Sequence, residues 1–433
     1  MFWLSQPLWK SKTRASRERG MPRPWVRVFT NSSRRCMPFV SSSKSRKFAI
    51  GFRGGIKSRS FGKPSCRLSL PPMHLRDLRL MNFKSWEEAS FLFHPKLNAW
   101  VGANGSGKTN LLDAIHFLSL SKSYFASADA HLIRHGADFL TAEGSFVKGE
   151  AEYRIHGALK KGQKKTFRHN QKEYEKLSDH IGRFPSVVIS PYDRDLIVES
   201  SETRRRFLDR VLSQGDAQYL FHLQRYNRAL QQRNRLLKYF ASNHQFSVES
   251  LEAFDQQLCE HGQALFEKRQ HFAQSLQPII SRYYRWISGE QEEADLQYRS
   301  SLTENDLAQE LRAHRDRDRL LQYTGVGPHR DDLLFRLQGR SVRRYGSQGQ
   351  QKTYLIALKL AQYDFIRQQV KTPPLLLLDD IFDKLDEKRV DLLVQLVHDE
   401  EFGQIFITDT HPERTEGLVK AMDESAEIFT LGQ

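Results

Sequence analysis

Cysteine is nearly missing from this chain, with three in 433 residues, at Cys36, Cys66 and Cys259. Two of them fall within the first 72 residues, so the patterned remainder carries Cys259 alone. A single thiol supports neither a disulfide framework nor a cysteine zinc site, and a reducing cytoplasm is the expected compartment. Acid is the second scarcity. Residues 1–72 hold 17 Lys and Arg against one acid, Glu18, a local excess equal to the formal net charge of +16 for the whole chain. Residues 73–433 are therefore neutral in sum, and the bulk charge says nothing about whether they bind nucleic acid; local patches must decide that. No apolar run in residues 1–72 is fit for a signal peptide or a membrane span. This Ser-, Arg-, Gly- and Pro-rich leader admits three readings: a disordered basic arm, an organellar transit peptide, or translated upstream sequence. The last is favoured, because Met73 opens directly onto patterned sequence.

What is present begins with Gly102-Ala103-Asn104-Gly105-Ser106-Gly107-Lys108-Thr109, a complete G-x-x-x-x-G-K-[ST] phosphate-binding loop. Leu97 to Val101 before it is a short apolar strand, and Asn110 to Leu118 after it places Leu111, Leu112, Ile115 and Leu118 at the spacing of a helix with one buried stripe. Glycines let backbone N–H groups curl around a triphosphate, and the helix N-terminus adds a field that favours anions. Lys108 is expected to reach the β/γ-phosphates and the Thr109 hydroxyl to hold Mg²⁺. The chain is expected to bind a nucleoside triphosphate, ATP with Mg²⁺.

A second half of the site lies far along the chain. Leu375 to Leu378 reads as a fully buried strand ending in Asp379 and Asp380, 271 positions after Lys108. In a phosphate-loop enzyme the first such carboxylate supports Mg²⁺ and the next can face the attacking water as general base; these roles fall to Asp379 and Asp380. Between the halves, Ser347-Gln348-Gly349-Gln350 opens a helix over Lys352 to Ile366, another terminus able to meet an anion. An ordinary N-cap is the bland reading of that turn. Two phosphate-binding termini so far apart suggest a nucleotide clasped between two subunits.

The rest of the chain reads as strands from Leu75 to Phe93 and from Leu140 to Tyr174, the latter with a basic hairpin at Lys160 to Lys165. Ser186 to Ser190 is a brief strand bounded by prolines. Helical spacing runs from Thr203 to about Tyr239 and from Val248 to about Trp286, too broken for a long coiled-coil arm. Strand-like sequence resumes around Gly325. The expected division is a leader at 1–72, an N-terminal part with the phosphate loop at 73–200, a helical insert at 201–318, and a C-terminal α/β part at 319–433.

Together the phosphate loop, the Ser347–Gln350 turn, the Leu375–Asp380 strand and the following Leu385-Asp386-Glu387-Lys388-Arg389 resemble the ABC-type ATPase heads of the SMC class. Glu202 to Asp209, with its three arginines, and Thr324 to Asp332, with Pro328-His329-Arg330-Asp331-Asp332, narrow the resemblance to the RecF family of bacterial recombination and repair proteins. It covers residues 73–433. The resemblance implies an α/β fold, a two-lobed P-loop ATPase head (a mixed-sheet lobe plus an α/β lobe) with a short inserted helical domain in place of long arms. It implies a dimer around ATP, with Ser347, Gly349 and Gln350 of one subunit meeting the γ-phosphate held by Lys108 of the other and Asp386 in a loop that crosses the interface. It further implies a cytoplasmic clamp on gapped single- and double-stranded DNA that works with RecR and RecO to load RecA.

The chain departs from that pattern in places. The wider class carries Glu where Asp380 stands, and a shorter acid implies slow hydrolysis, suited to a switch. His411 follows the strand Gln404 to Thr408 in a register that assigns it no role, and Ser121 to Phe125 lacks an arginine found in many relatives. DNA contact is expected either at Lys160, Lys161, Lys164, Lys165 and Arg168 or at Arg204, Arg205 and Arg206. The hairpin lysines could equally guard a solvated strand edge, and the three arginines are expected to pair with nearby acids. Rival readings are an ABC-type ATPase subunit energising a membrane transporter, a nuclease, and a structural SMC-like tether.

Overall fold

The computed structural model describes residues 73–289, 292–380, 401–422 and 426–431. The expectations for residues 1–72 and for Asp386 within Leu385–Arg389 lie outside the described residues.

Apolar runs flanked by turn residues make buried parallel strands, and alternating runs make half-exposed antiparallel ones. Both kinds occur. Strands β1 (Met73–Phe83), β2 (Trp86–Leu92), β4 (Phe139–Lys148), β5 (Ala151–Lys160), β6 (Thr166–His169) and β7 (Lys172–Glu173) form an antiparallel sheet in the order β2-β1-β4-β5-β6-β7. Strand β1 alternates buried and exposed residues and shifts register once, between Leu75 and Asp77. A second sheet is wholly parallel, in the order β14-β3-β13-β12-β8, from β3 (Leu97–Gly102), β8 (Ser186–Ile189), β12 (Leu375–Asp379), β13 (Ile405–Asp409) and β14 (Glu427–Leu431). Strands β8, β12 and β13 are buried at every residue, as expected for a sheet covered on both faces. On one of those faces Trp100 stacks on Phe429 with ring centroids 4.8 Å apart, and Phe93 meets Phe406 edge-on at 5.2 Å.

Helix α1 (Lys108–Leu120) packs against strands of both sheets. The sequence predicts one buried stripe, whereas Asp113, His116 and Ser119 are buried along with the leucines. The reason is position: a helix between two sheets has no solvent face.

The helical stretches resolve into α2 (Asp195–Val198), α3 (Ser201–Gly215), α4 (Ala217–Asn243) and α5 (Val248–Ser288), followed by α6 (Leu307–Ala313) and α7 (Arg315–Leu321). The predicted helix from Thr203 to Tyr239 breaks at Asp216, whose carboxylate accepts from the Gln218 and Tyr219 amides to cap α4. Helix α5 is less broken than its sequence suggests, running 41 residues, roughly 60 Å. Strand β9 (Ala294–Arg299) lies inside the range predicted to be helical and pairs with β10 (Asp332–Leu337), which in turn pairs with β11 (Arg340–Ser341). The short helix α8 (Val342–Tyr345) then leads into α9 (Gln348–Val370). Helix α5 packs on α4, α9 and β9, so the helical region shares one core with the C-terminal part.

Buried ion pairs tie that region together. Arg204 makes a two-pronged contact with Asp332 at 2.7 and 3.1 Å, which is the pairing predicted for the three-arginine segment. Arg205 donates to the Asp331 carbonyl at 2.7 Å and Arg206 pairs with Glu202. Arg233 bonds Asp255, Asp318 and Thr324, while Arg269 bonds Asp209, Asp331 and the Pro328 carbonyl. These arginines hold Thr324 to Asp332 in place. Gly327 in that segment has φ 113°, and a Cβ there would lie 2.6 Å from the Tyr226 hydroxyl, so only glycine fits. Among the described residues no helix is long and apolar enough to cross a membrane.

Candidate nucleotide site

The parallel sheet delivers the predicted residues to one rim. Strands β3, β8, β12 and β13 run in the same direction and in register, with Leu378 opposite Ile189 and Ile407, and Ile407 opposite Ala99. Their C-terminal ends, and the turns that follow, therefore lie side by side, where open α/β sheets form their crevices.

Gly102 to Gly107 leaves β3 and turns into α1. Gly105 and Gly107 have φ of 84° and 96°, left-handed values that strain any residue with a Cβ. At Gly107 a Cβ would also come 2.9 Å from the Ser85 hydroxyl and 3.2 Å from the Trp86 ring. Gly107 has no side chain to cap the helix, so the first amides of α1 receive no N-cap side-chain hydrogen bond. Lys108 is buried and folds back over its own loop, donating to the Gly102 and Ala103 carbonyls at 2.5 and 2.9 Å. Asn104 and Gly105 are exposed, and Asn110 anchors the helix start to Ser85 at 2.8 Å.

The structure joins this loop to the distant acid. Thr109 Oγ1 donates to Asp379 Oδ1 at 2.8 Å. The same oxygen accepts from Thr408 Oγ1 at 2.9 Å, and Ser190 Oγ reaches Asp379 Oδ2 at 3.4 Å. Burial pushes the Asp379 pKa up, while the Thr109, Thr408 and Ser190 hydroxyls and the Lys108 charge pull it back. A buried carboxylate beside hydroxyl oxygens offers hard-oxygen donors of the kind a divalent cation takes. The Ser106 hydroxyl is buried without a hydrogen-bond partner, on a loop whose glycines open it to an anion.

Asp380 follows with φ 48°, its amide donating to the Thr408 carbonyl at 3.1 Å. It lines a cavity of about 310 Å³ whose other walls include Ser190, Pro191, Asp193, Gln348 and Leu355. Next door, Asp409 is fully buried and satisfied by Arg414 and Thr415, while His411 is exposed and donates its amide to Asp409 at 3.4 Å.

Ser347 stands apart from the phosphate loop. It caps α9 by a reciprocal pair, with the Gln350 amide donating to Ser347 Oγ at 3.2 Å and the Ser347 amide donating to Gln350 Oε1 at 2.7 Å. Gln350 Nε2 also donates to Glu292, and Gln351 to the Gly346 carbonyl. None of these bonds reaches Gly102 to Thr109. Ser347 and Gln348 are exposed, with Gly349 and Gln350 half-buried.

Two residues on the rim were missed in the sequence, Ser190 and Thr408. The signal was available: each follows or ends a short apolar strand, as Asp379 does, and parallel strands bring such positions together. A third feature had no local signal. Lys359, buried in α9, lies 3.5 Å from Asp193 and donates to the Tyr124 hydroxyl at 3.3 Å, and Tyr124 donates to Asp193. The Arg210 guanidinium sits 4.7 Å from the Tyr124 ring centre. Tyr124 belongs to the segment that carries no arginine of its own, and Arg210 comes from α3.

On the basic hairpin, Lys165 pairs with Asp129 at 2.7 Å and also donates to the Ser121 carbonyl, and Lys161 lies 3.5 Å from Asp138. Lys160, Lys164 and Arg168 are exposed.

The model of the RecF/RecN/SMC N-terminal domain matches residues 74–431 of this chain. The chain is 49% identical over 359 residues to the DNA replication and repair protein RecF of Flavobacterium johnsoniae, covering 83% of this chain and 100% of that protein. To the protein of that name from Parabacteroides distasonis it is 45% identical over 359 residues, covering 83% and 97%. It is similar to a solved structure of "the recombination mediator protein RecF-ATP in RecFOR pathway", at a TM-score of 0.75 and 29% identity over 80% of this chain and 94% of that one. A companion, RecF-ATPrS, gives 0.74 and 30% over the same shares.

Proposed function

Because this chain belongs to the RecF family of the RecF/RecN/SMC proteins, we propose that it is an ATP-gated DNA clamp of recombinational repair and replication. In this reading two copies close around ATP on gapped DNA, act with RecR and RecO to load RecA, and let go after slow hydrolysis. The compartment is the cytoplasm.

Each copy brings two unlike surfaces. Gly102 to Thr109 cradles the triphosphate through backbone amides, and Lys108 exchanges its loop carbonyls for phosphate oxygens. Thr109 and Asp379 are the oxygen pair that would hold Mg²⁺, which when bound neutralises charge on the terminal phosphates. Asp380, beside them on the rim, orients and deprotonates the attacking water. Ser347, Gly349 and Gln350 of the partner subunit supply a hydroxyl and helix-terminal amides to the γ-phosphate.

One observation carries this reading. The bond from Thr109 to Asp379 assembles the phosphate half of the site within a single chain, while the Ser347 turn, exposed and bonded elsewhere, is left to face outward. The test is a mixing experiment between two inactive variants, Lys108→Ala and Ser347→Arg. Each alone is expected to lose ATP hydrolysis and ATP-dependent dimerisation. Mixed, they form one composite site with both residues intact, and partial hydrolysis should return. A mixture as inactive as its parts would mean that Ser347 serves the nucleotide of its own chain, and the shared site would be abandoned.

A further inference from the structure

The sheet β11-β10-β9 has one face in the core, through Leu333, Phe335, Leu337, Ala294 and Leu296. Residues alternate along a strand, so the opposite face carries Asp332, Leu334 and Arg336 of β10 beside Asp295, Gln297 and Arg299 of β9. Register sets Asp332 opposite Arg299 and Arg336 opposite Asp295 on that outer face. Helix α8 borders it, and together they enclose a cleft of about 400 Å³ with an apolar floor that includes Leu333 and Leu334 and a rim of Arg299, Arg336, Arg343, Arg344 and Tyr345. The cleft's own carboxylate, Asp332, is buried and taken by Arg204 from beneath. Arg299 lies 3.5 Å from the same carboxylate with two-thirds of its side chain in solvent, and Arg336 reaches only the Gly339 carbonyl. Arg343 and Arg344 are exposed and have no ion-pair partner among the described residues. Tyr345 is 68% exposed.

We propose that this arginine-lined cleft binds a single nucleic-acid strand, its phosphates paired by Arg299, Arg336, Arg343 and Arg344 and one base stacked on Tyr345. The proposal rests on the clamp reading above and names where a gap's unpaired strand would lie. Four guanidinium groups, set against Asp332, which Arg204 already neutralises, and Asp295, leave a local excess of positive charge with bidentate geometry for phosphate. An exposed tyrosine on the rim adds a stacking face, which a strand with free bases can use and a duplex, whose bases are already stacked, cannot. Tyr345 is two residues from Ser347. Strand capture and nucleotide clasping would thus share one short segment, Arg343 to Gln350.

The test uses the full chain and a fluorescent oligothymidine of about 12 nucleotides, a length within single-strand site sizes. A labelled blunt duplex serves as the control. Arg343→Ala with Arg344→Ala is expected to weaken oligothymidine binding about tenfold or more and to flatten its salt dependence by about 1.4 units of logarithmic slope, since single strands release about 0.7 ion per phosphate paired. Tyr345→Ala should weaken it about fivefold or more while Tyr345→Phe restores it, a contrast that stacking predicts and simple charge does not. Duplex affinity should change less than twofold. Unchanged oligothymidine affinity in these variants overturns the proposal, as does an equal loss on both probes. If the arginine variant instead releases a labelled polyglutamate peptide while holding oligothymidine, the cleft is a docking site for an acidic protein and the proposal fails. Wild-type protein that dimerises on ATP and binds duplex, beside variants with unaltered strand binding, would sink this inference alone. Wild-type protein that neither dimerises nor binds DNA would sink the clamp reading.

Discussion

The two halves of the proposed nucleotide site are built by opposite means. Lys108, Thr109 and Asp379 are pinned inside one chain by short hydrogen bonds, with Asp379 buried among three hydroxyls. Ser347 is exposed and is satisfied by a capping box with the half-buried Gln350. The sealed half is part of what folds the domain; the open half is folded already without bonds to the first among the described residues. Substitutions that strand a buried partner should therefore register in the stability of the isolated chain, whereas substitutions at the open turn, or ones that keep the buried hydrogen bonds, should register mainly in assembly.

The largest effect is expected deepest inside. Arg269→Met strands Asp209 and Asp331 without their shared guanidinium and should cost about 3–5 kcal/mol in urea unfolding, as broken buried pairs do. A loss below about 1 kcal/mol, the size expected of an exposed pair, would mean that this buried arginine does not tie the helical region together. Next comes pH. His180 is fully buried, bonded to the Leu118 carbonyl at 2.6 Å, and burial pushes its pKa down to about 4. A histidine held neutral in the fold adds stability that is complete above its unfolded value near 6.5 and disappears as pH falls towards 4. The melting temperature should drop across that window, by on the order of 3 kcal/mol in stability for this one group. A His180→Gln variant should show a shallower decline; an identical one would locate the acid sensitivity elsewhere.

At the open half, Ser347→Ala removes a cap and should cost about 1 kcal/mol in thermal unfolding. Its assembly defect should be far larger: sedimentation with ATP should show monomers. The smallest stability change is expected for Asp379→Asn, which keeps an oxygen for Thr109 and Thr408 and removes a buried charge. Apo stability should move by less than about 1 kcal/mol while ATP-dependent dimerisation disappears. This variant sharpens the contrast most, because it separates holding the fold from holding the nucleotide. Normal dimerisation of Asp379→Asn would remove the carboxylate from the site.

The same contrast explains what could be read in the sequence. The phosphate loop, the apolar strand before Asp379 and the Ser347 cap are local patterns, each complete within a few residues, and all appear where spacing placed them. Arg204 to Arg206 were legible as structural because arginines beside acids in a helix seek partners, and Arg204 finds Asp332. What sequence could not disclose depends on tertiary neighbours. Helix α1 is buried all round because two sheets cover it, and β9 exists because β10, more than thirty positions later, offers it an edge. Arg210 reaches Tyr124 only once α3 has packed near the rim. No pattern along the chain encodes such meetings.

Asp380 sits on a left-handed corner, at φ 48°, immediately after the strand. Aspartate and asparagine tolerate that corner better than other residues with a side chain, because their short polar groups can bond locally. The backbone thus favours the brief acid over a longer one at this spot. Lengthening it to glutamate would meet resistance from the main chain first, so the bend of the peptide restricts which acid can stand at this corner.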